Sequence, residues 1–347
     1  MITSGRARVA IVGSSEAPIN QECIDGYGAM GALATEEGLR QLEGKQPSDP
    51  SEVDWRRASR PFGQNCGFTL AESAQFVVLM DDALALQLGA EVHGAVTDVF
   101  INADGFKKSI SAPGPGNYLT MAKAVASAIQ IVGEDSVRQH SFVHAHGSST
   151  PANRVTESEL LDRIAATFGI HAWPVTAAKA YVGHSLASAS ADQLVSALGS
   201  FKYQIIPGIK TIDAIADDVH QQHLRISTTN TRRDEQPLEV CFINSKGFGG
   251  NNASAVVLAP QVVDRMLEKR YGAQRFADYC ALRKHTRAAA SLYDQQAQTG
   301  QFNILYNFGN DQIDDQQLQM TAQQIQVPGF RQPLVFSKDP RFSDMLD

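Results

Sequence analysis

The chain has 347 residues, 43% of them hydrophobic, and a formal net charge of −7. That length and apolar content suit one large α/β domain with an appendage. The acidic balance argues against nonspecific nucleic-acid binding, and no apolar run approaches the length of a membrane span. The N-terminus lacks the apolar stretch of a signal peptide, and none of the four cysteines has CxxC spacing, so we expect a cytoplasmic protein without a disulfide framework or a zinc site.

Apolar runs and amphipathic segments alternate in the first part of the chain. Residues 9–12 and 76–80 are continuous apolar runs of strand length, which predicts two strands that are buried on both faces. Apolar side chains recur at helical spacing over residues 118–132 and predict a helix there. Residues 142–143 predict a short strand that leads into His146.

The same alternation continues to residue 260. Helices are predicted at 160–168 and 193–203, and strands at 239–243 and 253–258, the last two being joined by a tight glycine-rich turn. Near-continuous apolar strands that alternate with helices predict an α/β protein with a largely covered sheet.

The sequence after Pro260 has a different composition. It is charged, alanine-rich and helical in pattern to residue 298, with a break at Gly272, and then becomes rich in glutamine, aspartate and proline. We therefore expect residues 261–347 to form an appendage, helical at first and then an irregular tail.

Two histidines and a lysine stand in short motifs. His146 follows a predicted buried strand and precedes small polar residues, a position where a histidine considered alone is more often structural than catalytic. Lys179 precedes His184 by five residues. A buried lysine near histidines is costly unless it is paired or functional, so the joint occurrence of these residues indicates a site.

A glycine-rich loop at residues 244–252 is the third motif. Three glycines in four residues surround Phe248, and such a loop lets backbone N–H groups converge on an anion. On its own, an ordinary hairpin turn is the commoner interpretation. Together with the histidines and the lysine, the loop could stabilise an oxyanion or enolate made from a thioester.

Taken together, these residues resemble the β-ketoacyl synthases, condensing enzymes of the thiolase fold. Residues 145–150 are similar to the family's Ala-His-Gly-Thr-Ser-Thr motif, 179–184 fit its Lys-x-x-x-Gly-His motif, and 244–252 are similar to its Asn-Ser-Phe-Gly-Phe-Gly-Gly-Thr-Asn loop. Residues 60–72 fit its Arg-Pro-Phe…Gly-Phe…Glu segment. The order and approximate intervals agree over roughly residues 1–260.

The resemblance implies a role for each of these residues. His146 and His184 would donate hydrogen bonds to the malonyl thioester oxygen and stabilise the enolate left by decarboxylation, and Lys179 would keep His146 oriented. Phe248 would gate the acyl pocket, and its backbone N–H would form half of the oxyanion hole. The other residues expected to shape this gate and the substrate site are Gly249, Gly250 and Thr150.

The resemblance also implies the reaction, the partners and the fold. The expected reaction is decarboxylative Claisen condensation of an acyl thioester with malonyl-acyl carrier protein, in fatty acid or polyketide biosynthesis, with neither cofactor nor metal. The expected partners are acyl carrier protein and a second copy in a homodimer. The implied fold is a thiolase-like layered α/β/α architecture, in which 1–95 is an incomplete N-terminal half, 96–260 a complete C-terminal half, and 261–347 a helical C-terminal extension.

Three departures from the family pattern affect this interpretation. Lys246 replaces the first phenylalanine of the glycine-rich loop, and Gln193 stands where many members carry a glutamate. The nucleophilic cysteine, which a helix N-terminus would activate, would lie upstream of Met1 in this alignment. The chain is therefore expected to lack the nucleophile and to be inactive alone.

Two alternatives stay open. The chain could be a non-catalytic partner or a truncated product of a condensing enzyme, because it lacks that cysteine. It could also be a serine acyltransferase or hydrolase, since residues 183–187 nearly match the Gly-x-Ser-x-Gly nucleophile elbow, with Ser185 as nucleophile and with Asp218 and His220 following. The elbow needs a buried strand immediately before it, whereas the preceding segment has small residues and Lys179.

Overall fold

The computed structural model describes residues 1–46, 48–106, 113–301, 308–310, 312–336 and 345. Contacts within the chain define two units, Met1–Arg287 and Ala288–Asp347. No helix in the described ranges is both long enough and apolar enough to cross a bilayer.

The described residues form thirteen strands and ten α-helices. The strands are β1 (Val9–Glu16), β2 (Ser73–Met80), β3 (Ala95–Ala103), β4 (Ser141–His144), β5 (Trp173–Thr176), β6 (Ile205–Ile206), β7 (Leu224–Ile226), β8 (Thr231–Arg232), β9 (Val240–Gly247), β10 (Asn251–Leu258), β11 (Gln319–Met320), β12 (Gln324–Gln326) and β13 (Leu334–Val335). The α-helices are α1 (Gln21–Ala29), α2 (Glu36–Leu42), α3 (Asp82–Leu88), α4 (Gly116–Val132), α5 (Glu134–His140), α6 (Pro151–Phe168), α7 (Lys179–Val182), α8 (Ala189–Tyr203), α9 (Pro260–Tyr271) and α10 (Ala273–Gln298).

A mixed six-stranded sheet forms the centre of the first unit, in the order β3-β10-β9-β4-β5-β7. Strands β9, β4, β5 and β7 run parallel, whereas β10 is antiparallel to both of its neighbours. Every residue of β4 is buried, because a central parallel strand is covered on both faces. Large side chains such as Phe142, Trp173 and Phe242 fill the core around it. The predicted α/β class with a central sheet is therefore confirmed.

The predicted helix at 118–132 is confirmed as α4, and the hairpin of β9 and β10 is confirmed around the glycine-rich turn. Helix α6 begins nine residues earlier than expected, at Pro151, with proline in its first turn and Thr150 as N-cap. The sequence pattern missed this part because its buried side chains include Arg154 and Glu157, and polar residues hide a buried face from an analysis of apolar periodicity.

The prediction that residues 9–12 and 76–80 are buried on both faces is wrong. They belong to β1 and β2, which pair antiparallel and form a separate two-stranded sheet. Ile11 is 75% exposed and Phe76 is 62% exposed. A short apolar run predicts that a strand forms. Its periodicity alone does not show whether another helix or strand packs against the second face of that strand.

The helical pattern after Pro260 and its break are also observed. Gly272 separates α9 from α10 with a backbone φ of 83°, a conformation that favours glycine. In the second unit, part of the tail that was expected to be irregular instead forms a three-stranded antiparallel sheet of β11, β12 and β13. The hydrogen bonds between strands join backbone groups that every residue except proline has. The glutamine-rich composition of the tail therefore did not reveal that these strands form. Residues 302–307, 311, 337–344 and 346–347 of the tail lie outside the described residues.

Candidate active site

The two motif histidines meet at the carboxyl ends of the central strands. His146 lies two residues beyond β4, and His184 lies two residues beyond α7. Their ring centroids are 5.4 Å apart and the ring planes are nearly perpendicular, at 82°. Both residues are at most 9% exposed. The structure thus brings together two histidines that are 38 positions apart in the printed sequence.

Burial keeps both imidazoles neutral. Desolvation, followed by the nearby Lys179 charge, lowers the pKa of His184 to about 3. Desolvation is also the main cause that lowers the pKa of His146 well below its ordinary value, with Lys179, His184 and Lys246 adding to it. A neutral imidazole has one ring nitrogen that donates a hydrogen bond and one that accepts, so each ring can offer one N–H donor at neutral pH.

Backbone N–H groups determine which ring nitrogen carries the proton. The N–H of Lys246 donates to His146 Nδ1 over 3.3 Å, and the N–H of Leu186 donates to His184 Nδ1 over 3.2 Å. A neutral imidazole whose Nδ1 accepts a hydrogen bond carries its proton on Nε2. Each ring therefore has an Nε2–H group with which to donate.

Lys179 supports His146 through the backbone. It is 3% exposed, and its Nζ donates to the His146 carbonyl oxygen over 2.6 Å. Desolvation lowers its pKa to about 8, although the carboxylates of Glu157 and Asp192 favour the charged form. The lysine is thus mostly protonated at neutral pH and fixes the turn on which His146 sits.

Glu157 on α6 is a site residue that the sequence analysis missed. Its buried carboxylate accepts hydrogen bonds from the backbone N–H groups of His146 at 2.7 Å and Gly147 at 2.8 Å. It also accepts from the side-chain amides of Asn153 at 2.9 Å and Asn244 at 2.7 Å. A signal was present: an asparagine and a glutamate four residues apart, on one helix face, follow the first histidine motif.

The glycine-rich loop is the tight hairpin turn between β9 and β10. Gly249 and Gly250 have φ values of 84° and 90°, which a residue with a Cβ rarely adopts. Phe248 at the tip is 51% exposed, and its ring lies 5.9 Å from that of Tyr27. Tyr27 also contacts Phe68, at 5.5 Å between centroids. The aromatic cluster of Tyr27, Phe68 and Phe248 was not anticipated, because Tyr27 lies outside the recognised motifs.

A cavity of about 590 Å³ opens beside the histidines, within the size range of small-molecule sites. Its walls contain five of the seven expected site residues; these are His146, His184, Thr150, Phe248 and Gly250. Lys179 and Gly249 are not among the residues that line it. Lys179 instead acts behind the cavity wall, on the carbonyl of His146.

No cysteine lines this cavity, although all four, which are Cys23, Cys66, Cys241 and Cys280, are described and are free thiols. Among the described residues, no group of three or more His, Cys, Asp or Glu side chains is arranged to hold a metal ion.

The nucleophile elbow suggested by residues 183–187 is not formed. A helix, α7, precedes Ser185, where the elbow requires a strand. The Ser185 hydroxyl is buried and donates to Asp192 Oδ2 over 2.5 Å. Asp218, which would have completed a triad, is held by a bidentate ion pair with Arg154, at 2.8 Å for both contacts. The geometry thus disfavours the serine alternative.

Acid is expected to destabilise the protein through its buried histidines. His144 on β4 is fully buried, its pKa is lowered to about 3 by desolvation, and neither ring nitrogen has a hydrogen-bond partner among the described residues. Below the ordinary histidine pKa of 6.5, the unfolded chain binds protons that the folded chain does not. The free energy of unfolding should therefore fall as the pH drops from 6.5 towards about 3, by up to about 1.4 kcal/mol per pH unit for each buried histidine.

Urea titrations at pH 7, 6 and 5 would measure this slope. His144→Phe should reduce the slope by the contribution of about one proton, while His285→Phe, at an exposed position, should leave it unchanged. Equal slopes in the native protein and in His144→Phe would show that His144 is not held neutral.

Comparison with known proteins shows that this chain is similar to β-ketoacyl synthases. Residues 93–213 match the family described as "Beta-ketoacyl synthase, C-terminal domain". Over 347 residues the chain is 72% identical to "Beta-ketoacyl-[acyl-carrier-protein] synthase FabY" of Pseudomonas aeruginosa, and the match covers 100% of this chain and 54% of that protein. The chain thus spans about half the length of the curated relatives it matches.

Solved structures show the same likeness. The crystal structure of the noncanonical ketosynthase FabY from P. aeruginosa superposes with a TM-score of 0.92 at 72% identity, over 99% of this chain and 53% of that one. A type II polyketide synthase acyl-carrier protein in complex with its ketosynthase matches at 23% identity with a TM-score of 0.60, over 74% of this chain and 58% of that one, and shows the fold alone. On its sequence, its fold and its family match, the chain belongs to the β-ketoacyl synthase family.

Proposed function

We propose that this chain supplies the decarboxylating part of the active site of a β-ketoacyl-acyl-carrier-protein synthase. The observation that supports this most strongly is the pair of neutral imidazoles, 5.4 Å apart between centroids, that line one cavity. Each is held with Nδ1 as acceptor and so has an Nε2–H to donate. Two donors of this kind suit a thioester oxygen that becomes negatively charged.

The proposed reaction needs no proton transfer from the histidines in its first step. The bond between the malonyl α-carbon and the carboxylate breaks and CO₂ leaves. The electron pair of that bond stays with the α-carbon and forms an enolate with the thioester carbonyl. The Nε2–H groups of His146 and His184 stabilise the charge on the enolate oxygen. The α-carbon then attacks the carbonyl of the acyl thioester, and the C–S bond breaks to release a thiolate. The product is a 3-oxoacyl thioester.

The protein groups around the histidines support the same step. Phe248, with Gly249 and Gly250 giving the hairpin its shape, gates the acyl side of the cavity, and Thr150 is among the residues that line it. Lys179 orients His146 through its carbonyl. None of the four cysteines lines the cavity, so the proposal assigns the acyl-carrying thiol to none of them.

The proposal includes the expected architecture and partners. Residues 1–95 and 96–260 belong to two thiolase-like halves, the first of them incomplete, and 261–347 is the C-terminal extension; the family match that begins at residue 93 supports the first boundary. Acyl carrier protein is the donor partner, which the name of the relative that is 72% identical supports, and the synthase acts as a homodimer. Four free thiols support a reducing cytoplasm as its location.

Malonyl-acyl carrier protein is the substrate that tests this function. The native protein should release CO₂ from it and leave acetyl-acyl carrier protein. A 3-oxoacyl product should form from an added acyl thioester once a longer chain or a partner supplies the acyl-carrying thiol. Absence of CO₂ release would contradict the proposal. Peptide mass spectrometry after incubation with acyl thioester separates the serine alternative, which alone requires an acyl adduct on Ser185.

A further inference from the structure

Gln193 on α8 joins two segments of the site. Its buried side chain places Nε2 at 2.7 Å from the Ala145 carbonyl oxygen, 3.0 Å from the Asn244 carbonyl oxygen and 3.1 Å from the His144 carbonyl oxygen, and its two hydrogens are shared among these three acceptors. Its Oε1 accepts from the Ser245 hydroxyl over 3.3 Å. The two amide hydrogens and the amide oxygen are thus all engaged with the backbone ends of β4 and β9 or with the hairpin.

These contacts begin where the ladder between β4 and β9 ends. The last paired residues of the two parallel strands are His144 and Ile243. The next residues, Ala145 and Asn244, are bridged by the Gln193 amide instead. Since Ala145 precedes His146 and Asn244 begins the glycine-rich loop, the amide helps to hold the two segments against each other, as does Glu157 through His146 and Asn244.

The alignment of those segments matters for His146. The hydrogen bond from the Lys246 N–H to His146 Nδ1, at 3.3 Å, joins the same two segments. A shift of the hairpin away from β4 would lengthen this bond and remove the preference for a proton on Nε2. Lys179 donates to the His146 carbonyl, and its side chain makes no hydrogen bond to the hairpin among the described residues.

We propose that Gln193 is a positioning residue, whose amide holds the hairpin against β4 and thereby keeps His146 in its Nε2–H form. The proposal rests on the function proposed above. In this chain three carbonyl oxygens surround Nε2 and need a donor, which an ionised glutamate, the residue that many family members carry at this position, would not supply. An ionised glutamate here would place negative charge against those oxygens in a desolvated site. It is not needed as a counter-charge for Lys179, because the carboxylates of Glu157 and Asp192 already favour the charged form of that lysine.

Two substitutions test the amide, and a third serves as a matched control. Gln193→Met keeps the length and removes all polar contacts, and Gln193→Glu keeps the shape but presents no amide donor. Gln261 lies on α9, away from the cavity lining, and Gln261→Met removes a single glutamine contact to a backbone carbonyl, that of Leu238 at 2.7 Å. Secondary structure by circular dichroism shows that each variant is folded.

The first readout does not depend on activity. In imidazole ¹⁵N spectra of the native protein, His146 should show the Nε2–H form, and both Gln193 variants should shift it towards a mixture of the two neutral forms. The signals of His285, which is exposed, and all signals in Gln261→Met should stay unchanged. Unchanged His146 signals in folded Gln193→Met and Gln193→Glu would overturn the proposal.

The second readout is malonyl decarboxylation. We expect kcat to fall at least tenfold in both Gln193 variants, with KM within about twofold, because the substrate contacts remain while one donor is disordered. Native-like kcat in Gln193→Glu would overturn the requirement for an amide. If the native protein itself shows no decarboxylation, the proposed function fails, and the ¹⁵N spectra still decide the role of Gln193.

A milder variant covers the case in which neither Gln193 substitution folds. Ser245→Ala removes only the contact to Gln193 Oε1 and that to Ser190, at 2.8 Å. The amide should then lose part of its orientation, so a smaller shift of the His146 signals in the same direction is expected. No shift in Ser245→Ala would overturn the proposal in that case.

Discussion

Replacing either His146 or His184 with alanine should lower the rate of malonyl decarboxylation by about 100- to 1,000-fold, the usual cost of one lost donor to a developing oxyanion. Each substitution removes one of the two Nε2–H groups that the structure holds at the cavity. The remaining ring cannot take over, because its own orientation is fixed by a backbone N–H. Release of labelled CO₂ from malonyl-acyl carrier protein measures the effect.

In a full-length protein that supplies the acyl-carrying thiol, the same variants should spare the acylation of that thiol, which does not involve an enolate. The two steps can therefore be separated by intact-protein mass spectrometry after incubation with an acyl thioester alone. His285→Ala at an exposed position is the control and should decarboxylate at the native rate. Decarboxylation retained in both His146→Ala and His184→Ala would remove the histidines from the mechanism.

Glu157→Ala should destabilise the folded protein by about 3–5 kcal/mol, as expected when one partner of a buried charged network is removed. Its carboxylate accepts four hydrogen bonds, so the substitution leaves four donors without that acceptor. It also removes a negative charge that favours the protonated form of Lys179. Urea unfolding followed by circular dichroism measures the change in the free energy of unfolding.

Glu159→Ala provides the matched control on the same helix. The Glu159 side chain is 43% exposed and its ion pair with Arg163 is long, at 3.8 Å. Its loss should change the free energy of unfolding by less than about 0.5 kcal/mol. Similar unfolding midpoints for Glu157→Ala and Glu159→Ala would mean that Glu157 does not hold the turn of His146.

Local patterns predicted the elements that depend on local forces. Helix α4 has apolar residues at regular helical spacing, and the β9–β10 hairpin has glycines at the positions that require positive φ. The start of α6 was missed because its buried face is polar. The burial of β1 and β2 was predicted wrongly because burial depends on which elements cover a strand, and a run of apolar residues does not contain that information.

The candidate site divides in the same way. His146, Lys179 and His184 could be recognised because each stands in a short motif with a fixed spacing. Glu157 and Gln193 could not be assigned their contacts, since the hydrogen bond that joins Asn244 to Glu157 spans 87 positions and that from Gln193 to Ala145 spans 48. Such contacts follow from the order of strands in the sheet, which sequence spacing does not reveal.

The donors that fix the two imidazole protons belong to the main chain, at Lys246 and Leu186. Any residue except proline has the same N–H, so the side chains at these two positions are free to diverge without altering which ring nitrogen is protonated. This explains how a lysine can occupy a position where the resemblance leads us to expect phenylalanine. Sequence divergence in the hairpin is therefore a poor guide to whether a homologue has kept the histidine chemistry, and the path of its backbone is a better one.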